Sequence, residues 1–232
     1  MTLAIMQPYL FPYIGYWQLI NAVDTFVIYD DVNYINKGYI NRNSILVNGK
    51  SQQFTLELIG ASQNKLIKEI EIGNNANKIL KTIKQSYIKA PLFENVISLL
   101  EEILTNKEKN LAKYIGYSLE IISNYLNINT KFIYSSDIKK DNNLKAQDKI
   151  LDICKKLEAT NYINTIGGQE LYNKEIFKEN GIELNFLKTE LVEYKQFKND
   201  FVPYLSIIDI LMFNSKDEIK NMLNRYALVW KK

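Results

Sequence analysis

Two periods alternate along the chain. TLAIM (2–6) is a continuous apolar run of the kind a buried strand shows, and TFVIYDDV (25–32) is rich in β-branched and aromatic residues before it closes on two aspartates. Between them GYWQLINAV (15–23) puts Trp17, Ile20 and Val23 at helical spacing. Strand, turn, helix and strand in so short a stretch predict a βαβ unit with parallel strands.

The middle reads differently. SILV, then Asn48-Gly49, then SQQFTLEL is a hairpin signature, because Asn-Gly supplies the positive φ angles of a type I′ turn. NKLIKEIEIG (64–73) adds a short strand. ANKILKTIKQSYIKA (76–90) has apolar residues at 79, 80, 83 and 87, a helical stripe closed by Pro91, and LFENVISLLEEIL (92–104) is a second helix. A third is expected to start at the capping box Thr105-x-x-Glu108.

Beyond it the alternation of strand and helix returns. TKFIYSSDI (130–138) is a strand, NLKAQDKILDICKKLEA (143–159) an amphipathic helix, and TNYINTIGG (160–168) a strand running into a Gly-Gly turn. KEIFKENG (174–181) is a helix with a glycine stop, and IELNFLKTEL (182–191) a strand. VPYLSIIDILMFN (202–214) is an apolar helix, and Ser215-x-x-Glu218 caps a last one. This pattern predicts an α/β fold, Rossmann-like, with a mainly parallel sheet flanked by helices and a hairpin and helical insert. No linker, repeat or low-complexity tract interrupts it, so one domain over 1–232 is expected.

Composition changes the picture mainly by an absence. There is no histidine, which excludes serine triads with a histidine base, cysteine–histidine dyads and histidine-ligated zinc. Acid–base chemistry falls to Asp, Glu, Lys, Tyr or Cys. The lone cysteine, Cys154, excludes an intramolecular disulfide and sits on an amphipathic helix, as a core thiol does. The net charge of +3 is too small to call for nucleic acid. No apolar run is long enough to span a bilayer and no signal peptide is visible, so a cytoplasmic protein without membrane insertion is expected.

The candidate chemistry gathers at predicted strand ends. In an open parallel sheet, ligands bind beyond the carboxyl ends of the strands. The rigid aromatic turn MQPYLFPYIGY (6–16) follows the first strand, and Gly15 with the helix start behind it can receive an anion. The contrary reading is a rigid turn whose aromatics cover the sheet end. Asp30 and Asp31 end the second strand, where one of them can hold Mg²⁺ or an amine; as strand neighbours they face opposite ways. Arginine occurs only at 42 and 225, and the planar fork of Arg42 suits phosphate or carboxylate. Gly167 and Gly168 lie between a strand and a helix, and Asp209 is a carboxylate in an apolar helix that must be paired or protonated.

Pro12-Tyr13-Ile14-Gly15-Tyr16, followed by Leu19-Ile20 and Asp24, resembles the P-x-H-x-G-H turn of the nucleotidylyltransferase and class I synthetase superfamily, with tyrosine at both histidine positions. That likeness implies ATP on the turn and pyrophosphate release, although tyrosine brings no cation. Over nearly the whole chain, IMQPYLFPYIGYWQLINAVDTFVIYDDVNYINKGYINRN, SYIKAPLF, YINTIGGQELY and FVPYLSIIDILMFNS together resemble the WbqC-like family of bacterial surface-polysaccharide and O-antigen loci. The resemblance implies Gln7, Pro8, Tyr9, Pro12, Tyr13, Gly15, Tyr16, Asp30, Asp31, Arg42, Asn43, Gly167, Gly168, Tyr172, Ser206 and Asp209 as motif positions. The function it implies is acyl or aminoacyl transfer, glycine included, to the amino group of a nucleotide-linked amino sugar. ATP with Mg²⁺, or an acyl thioester, would activate the small acyl or amino-acid donor. Two alternatives stand beside it: a non-catalytic sugar-nucleotide-binding accessory protein, and a nucleotidylyltransferase-like enzyme.

Overall fold

The computed structural model describes residues 1–198 and 200–230 of the chain. It opens with the expected βαβ unit: β1 (Thr2–Met6), α1 (Ile14–Asn21) and β2 (Thr25–Ile28). A long excursion follows, with the hairpin β3 (Arg42–Val47) and β4 (Lys50–Thr55), then the two-residue strands β5 (Leu58–Ile59) and β6 (Glu71–Ile72), and the helices α2 (Ala76–Tyr87), α3 (Phe93–Leu104) and α4 (Leu111–Tyr125). The chain then re-enters the sheet through β7 (Lys131–Tyr134), α5 (Ala146–Lys156), β8 (Asn161–Thr165), α6 (Lys174–Glu179) and β9 (Glu183–Thr189). It ends with α7 (Ile207–Phe213), α8 (Lys216–Leu223) and β10 (Tyr226–Val229).

Six strands form one sheet in the order β10-β9-β8-β1-β2-β7, and only β10 runs antiparallel to its neighbour. Counted along the chain, this is the doubly wound order 3-2-1-4-5-6. Residues alternate between its two faces. Leu3, Ile5 and Val27 join a core with Ile150, Ile153 and Cys154 of α5 and Phe177 of α6. Ala4, Phe26 and Ile28 join a larger core with Trp17 and Ile20 of α1 and with the helices of the excursion. Both crossovers thus cover a face, which is why the strands read as continuous apolar runs. Cys154 is buried in the smaller core, and burial pushes its thiol up to about 12.

Local chemistry corrects several expected boundaries. Thr105 does not start α4; its hydroxyl donates back to Glu101 O at 2.7 Å and so finishes α3. The N-cap of α4 is Asn110, whose side-chain oxygen accepts from Lys113 N at 3.1 Å. The second strand leaves the ladder after Ile28, so Asp30 and Asp31 lie just past its end. Residues 202–206 stay outside the helix, with Tyr204 in the left-handed region at φ +59, and the helix begins only after Ser206 caps it. The stretch expected as a strand over 64–73 forms a ladder at Glu71–Ile72 and a lone bridge from Leu66 to Asn33, and β10 has no counterpart among the expected elements.

Candidate functional site

The five parallel strands bring their carboxyl ends to one edge, after Met6, Ile28, Tyr134, Thr165 and Thr189. The direction of winding reverses between β1 and β8, and this switch point is where a crevice opens in such sheets. Residues 7–13, 29–31, 135–140 and 166–172 therefore share one rim.

The opening turn is held from several sides. Leu10 N donates to Ile40 O at 3.0 Å. The Asn43 amide and the Ser206 hydroxyl both donate to Phe11 O, the latter at 2.8 Å. Pro12 O accepts from Trp17 Nε1 and from Ile207 N, each at 3.0 Å. This cage keeps Phe11 at φ +47, a conformation a bulky residue adopts only where surrounding bonds enforce it. Pro8, Leu10 and Phe11 are buried, while Gln7, Tyr9 and Tyr13 are half-buried and face the edge of the turn.

An aromatic group surrounds the start of β3. Tyr9 packs edge-on to Tyr16 with ring centroids 5.8 Å apart, and lies 5.6 Å from Tyr39. The Arg42 guanidinium carbon sits 5.7 Å from the centre of the Tyr39 ring. Its Nε is buried without a hydrogen-bond partner, and among the described residues no carboxylate forms an ion pair with it. Burial raises the Tyr9 phenol well above its usual range, Tyr39 and Tyr13 add to this, and the Arg42 charge opposes it. Tyr16 donates its hydroxyl to Gln7 O at 2.8 Å, so that phenol is spent on the turn itself.

At the start of α1 the structure fills the space that the glycine leaves. A Cβ on Gly15 would lie 2.3 Å from Thr189 Oγ1 and 2.6 Å from the Tyr13 ring. The glycine therefore admits the Tyr13 ring and the Thr189 hydroxyl against the first helical turn. The cavity beside them, about 20 Å³ between Tyr13, Thr189 and Tyr204, has room for one water.

Past the end of β2, Asp30 and Asp31 take different partners. Asp30 accepts from Ser136 N at 2.9 Å and from Ser136 Oγ at 2.6 Å, tying β2 to the turn after β7. Asp31 pairs with Lys140 Nζ at 2.7 Å and Lys149 Nζ at 3.3 Å. The Lys140 side chain is 1% exposed, so two ammonium groups face one carboxylate out of water. Burial alone would raise the Asp31 pKa, but Lys140 and Lys149 overcome it and hold the carboxyl below its usual range. Lys149 also stands 5.3 Å over the Tyr29 ring. Both acids have protein partners, Ser136 for Asp30 and two lysines for Asp31, and among the described residues no group of three or more His, Cys, Asp or Glu side chains could hold a metal ion.

Beyond β8, Gly167 and Gly168 lie in a 3-10 turn, Ile166–Leu171. A side chain at Gly168 would meet Asn164 at 3.2 Å, whereas nothing lies within 4 Å of one at Gly167. Asn164 donates to the hydroxyls of Tyr162 and Tyr172 at 3.0 and 3.1 Å, and Tyr172 is half-buried at the edge.

With this rim in place, the chain matches the WbqC-like protein family over residues 7–221. It belongs to that family. Residues from β1's end to α8 fall within the match, so the turn, the Arg42 aromatic group and the Gly-Gly segment are all parts of the WbqC-like chain. The chain is also similar to the uncharacterized protein Rv1507c of Mycobacterium tuberculosis, 28% identical over 97% of each chain. No solved structure matches it.

One expected position of this WbqC-like chain lies apart from the rim. Asp209 is 0% exposed in α7 and accepts from Tyr87 Oη at 2.7 Å, Tyr194 Oη at 2.6 Å and Gln196 Nε2 at 2.6 Å. Burial raises its pKa and the three hydrogen bonds oppose that only in part. It fastens α2, α7 and the 194–196 segment together. Asn43 and Ser206, with their side chains on Phe11 O, likewise position the turn from below. Lys140 and Lys149 went unnoticed in the sequence. Lys149 did leave a signal, four residues before Ile153 on the buried stripe of α5; Lys140 left none among so many lysines.

No helix among the described residues is long and apolar enough to cross a membrane.

Proposed function

We propose that the protein binds a nucleotide-linked amino sugar across this rim and transfers an acyl or aminoacyl group, glycine among the candidates, to the sugar's amine. The observation that carries the reading is the Arg42 guanidinium beside Tyr39 and Tyr9, its Nε without a hydrogen-bond partner and in no ion pair among the described residues. A nucleotide sugar offers what such a group recognises: a diphosphate for the planar cation, and rings that stack on phenols. The excess ammonium charge of the Lys140–Asp31–Lys149 group adds a second attraction for phosphate. In the transfer, the sugar nitrogen attacks the donor's carbonyl carbon and the new C–N bond forms. The bond from that carbon to its leaving group, an adenylate oxygen or a thioester sulfur, breaks, and the amine proton departs with the leaving group.

A specific observation favours the binding-only alternative: Asp30 and Asp209 are both occupied by structural hydrogen bonds. One experiment separates the readings. The protein is incubated with a nucleotide-linked amino sugar and either ATP with labelled glycine or an acyl thioester. Formation of an amide product supports transfer. Saturable sugar-nucleotide binding with no turnover across these donors leaves the accessory role, and pyrophosphate release that needs a sugar phosphate but no amino acid identifies a nucleotidylyltransferase. Arg42→Lys should weaken sugar-nucleotide binding about tenfold, about 1.4 kcal/mol, by losing the fork. Unchanged affinity in that variant would remove Arg42 from the site.

A further inference from the structure

The hairpin that begins at Arg42 ends at Asn48–Gly49, about 17 Å further along β3. There it borders a separate open groove of about 830 Å³, lined by the hairpin turn, the end of α2 with Ile88 and Pro91, and residues of the segment 195–198. That volume lies in the range of small-molecule pockets. Phe197 and Phe213 line it, edge to face with centroids 4.7 Å apart, and both rest on the Tyr87 ring. Ile88, 64% exposed, extends this apolar surface at its border.

The charges around the groove have one sign. Lys89, Lys195 and Lys198 line it, no aspartate or glutamate does, and among the described residues none of the three lysines is ion-paired. The wall that carries two of them is pinned. Gln196 is 1% exposed, donates to Asp209 Oδ2 and Val202 O, and accepts from Val202 N at 2.7 Å. This clamp holds Phe197 at φ +48, a conformation that a residue of its bulk adopts only under constraint. The groove is thus preorganised, apolar at its floor and cationic at its edge.

We propose that this groove binds a single anionic amphiphile, a long-chain organic phosphate, with its chain over Phe197 and Phe213 and its phosphate among Lys89, Lys195 and Lys198. An extended membrane contact would call for a flat or convex cationic face. Here the lysines surround a concavity of ligand size.

The test is calorimetric titration of the full-length protein with dodecyl phosphate below its critical micelle concentration. One saturable site is expected. Inorganic phosphate and dodecyl glucoside should each bind at least tenfold more weakly, because each lacks one half of the match. A Lys89→Gln, Lys195→Gln, Lys198→Gln triple variant should keep the wild-type melting temperature and lose at least tenfold in affinity, whereas Arg42→Lys should bind as wild type does. Absence of saturable binding overturns the proposal, as does equal binding of the glucoside or unchanged affinity in the triple variant. Loss of binding in Arg42→Lys also overturns it by moving the amphiphile to the rim. Binding to anionic vesicles with none to the monomeric phosphate has the same consequence.

Discussion

At the scale of single residues, two buried carboxylates should respond to pH in opposite directions. Asp31, held below its usual pKa, contributes stability above the ordinary aspartate range and loses it as pH falls through the folded value. The stability gap between wild type and Asp31→Asn, measured by urea unfolding, should therefore be wide at neutral pH and close in acid. A gap independent of pH would mean that the lysine pairs contribute nothing. Asp209 has a raised folded pKa, so its contribution is present below the ordinary range and fades as pH climbs through that higher value. Asp209→Leu would leave three buried donors without an acceptor, and a loss of about 3 kcal/mol or more is expected. Gly15 is a test of packing. Gly15→Ala must displace the Tyr13 ring and Thr189, which overpacking places at about 1–3 kcal/mol of lost stability. In a Tyr13→Ala, Thr189→Ala background the same change should become stabilising by up to about 1 kcal/mol, the helix preference of alanine over glycine.

At the scale of elements, α7 and the opening turn act as one unit. Ser206 caps α7 by accepting from Ile208 N and at the same time donates to Phe11 O, while Ile207 N holds Pro12 O. Ser206→Ala removes both functions of the hydroxyl, and a loss of about 1–2 kcal/mol is expected. Amide hydrogen exchange should then quicken at residues 10–16, on the far side of the bond, and not only in α7. If exchange rises in α7 alone, the turn keeps its shape without it. Element boundaries were less legible than the elements themselves for a related reason. Thr105 and Glu108 carry a capping-box spacing, yet Glu108 Oε1 bonds to the N–H groups of Lys109 and Asn110, and Asn110 takes over the cap. Several local side-chain–backbone solutions compete there, and the packing of α4 against the rest of the chain selects one. By contrast Ser215 and Glu218 form the expected box at α8.

At the scale of the whole molecule, the doubly wound order brings stretches far apart in sequence to one rim. Gln7, Asp31 and Gly167 follow the carboxyl ends of β1, β2 and β8, which are neighbours in the sheet, and Lys149 of α5 reaches Asp31 there. A ligand bound across that rim should raise the melting temperature in proportion to the logarithm of its concentration above Kd. A thermal-shift series with nucleotide sugars, against Arg42→Lys as control, checks this, and a set of sugar nucleotides that leaves the melting temperature unmoved would count against the rim as their site. The amino-acid order carried the periodicities, and with them the βαβ start, the α/β class and the hairpin at Asn48–Gly49. These depend on spacing and on turn residues within a few positions of one another. Which partner each polar side chain took was settled by the folded chain. Asp209 became a fastening for α2, Asp31 met Lys140 and Lys149, and Gly15 admitted Tyr13, because hydrogen bonds and ion pairs out of water depend on atoms that only long-range packing brings into contact.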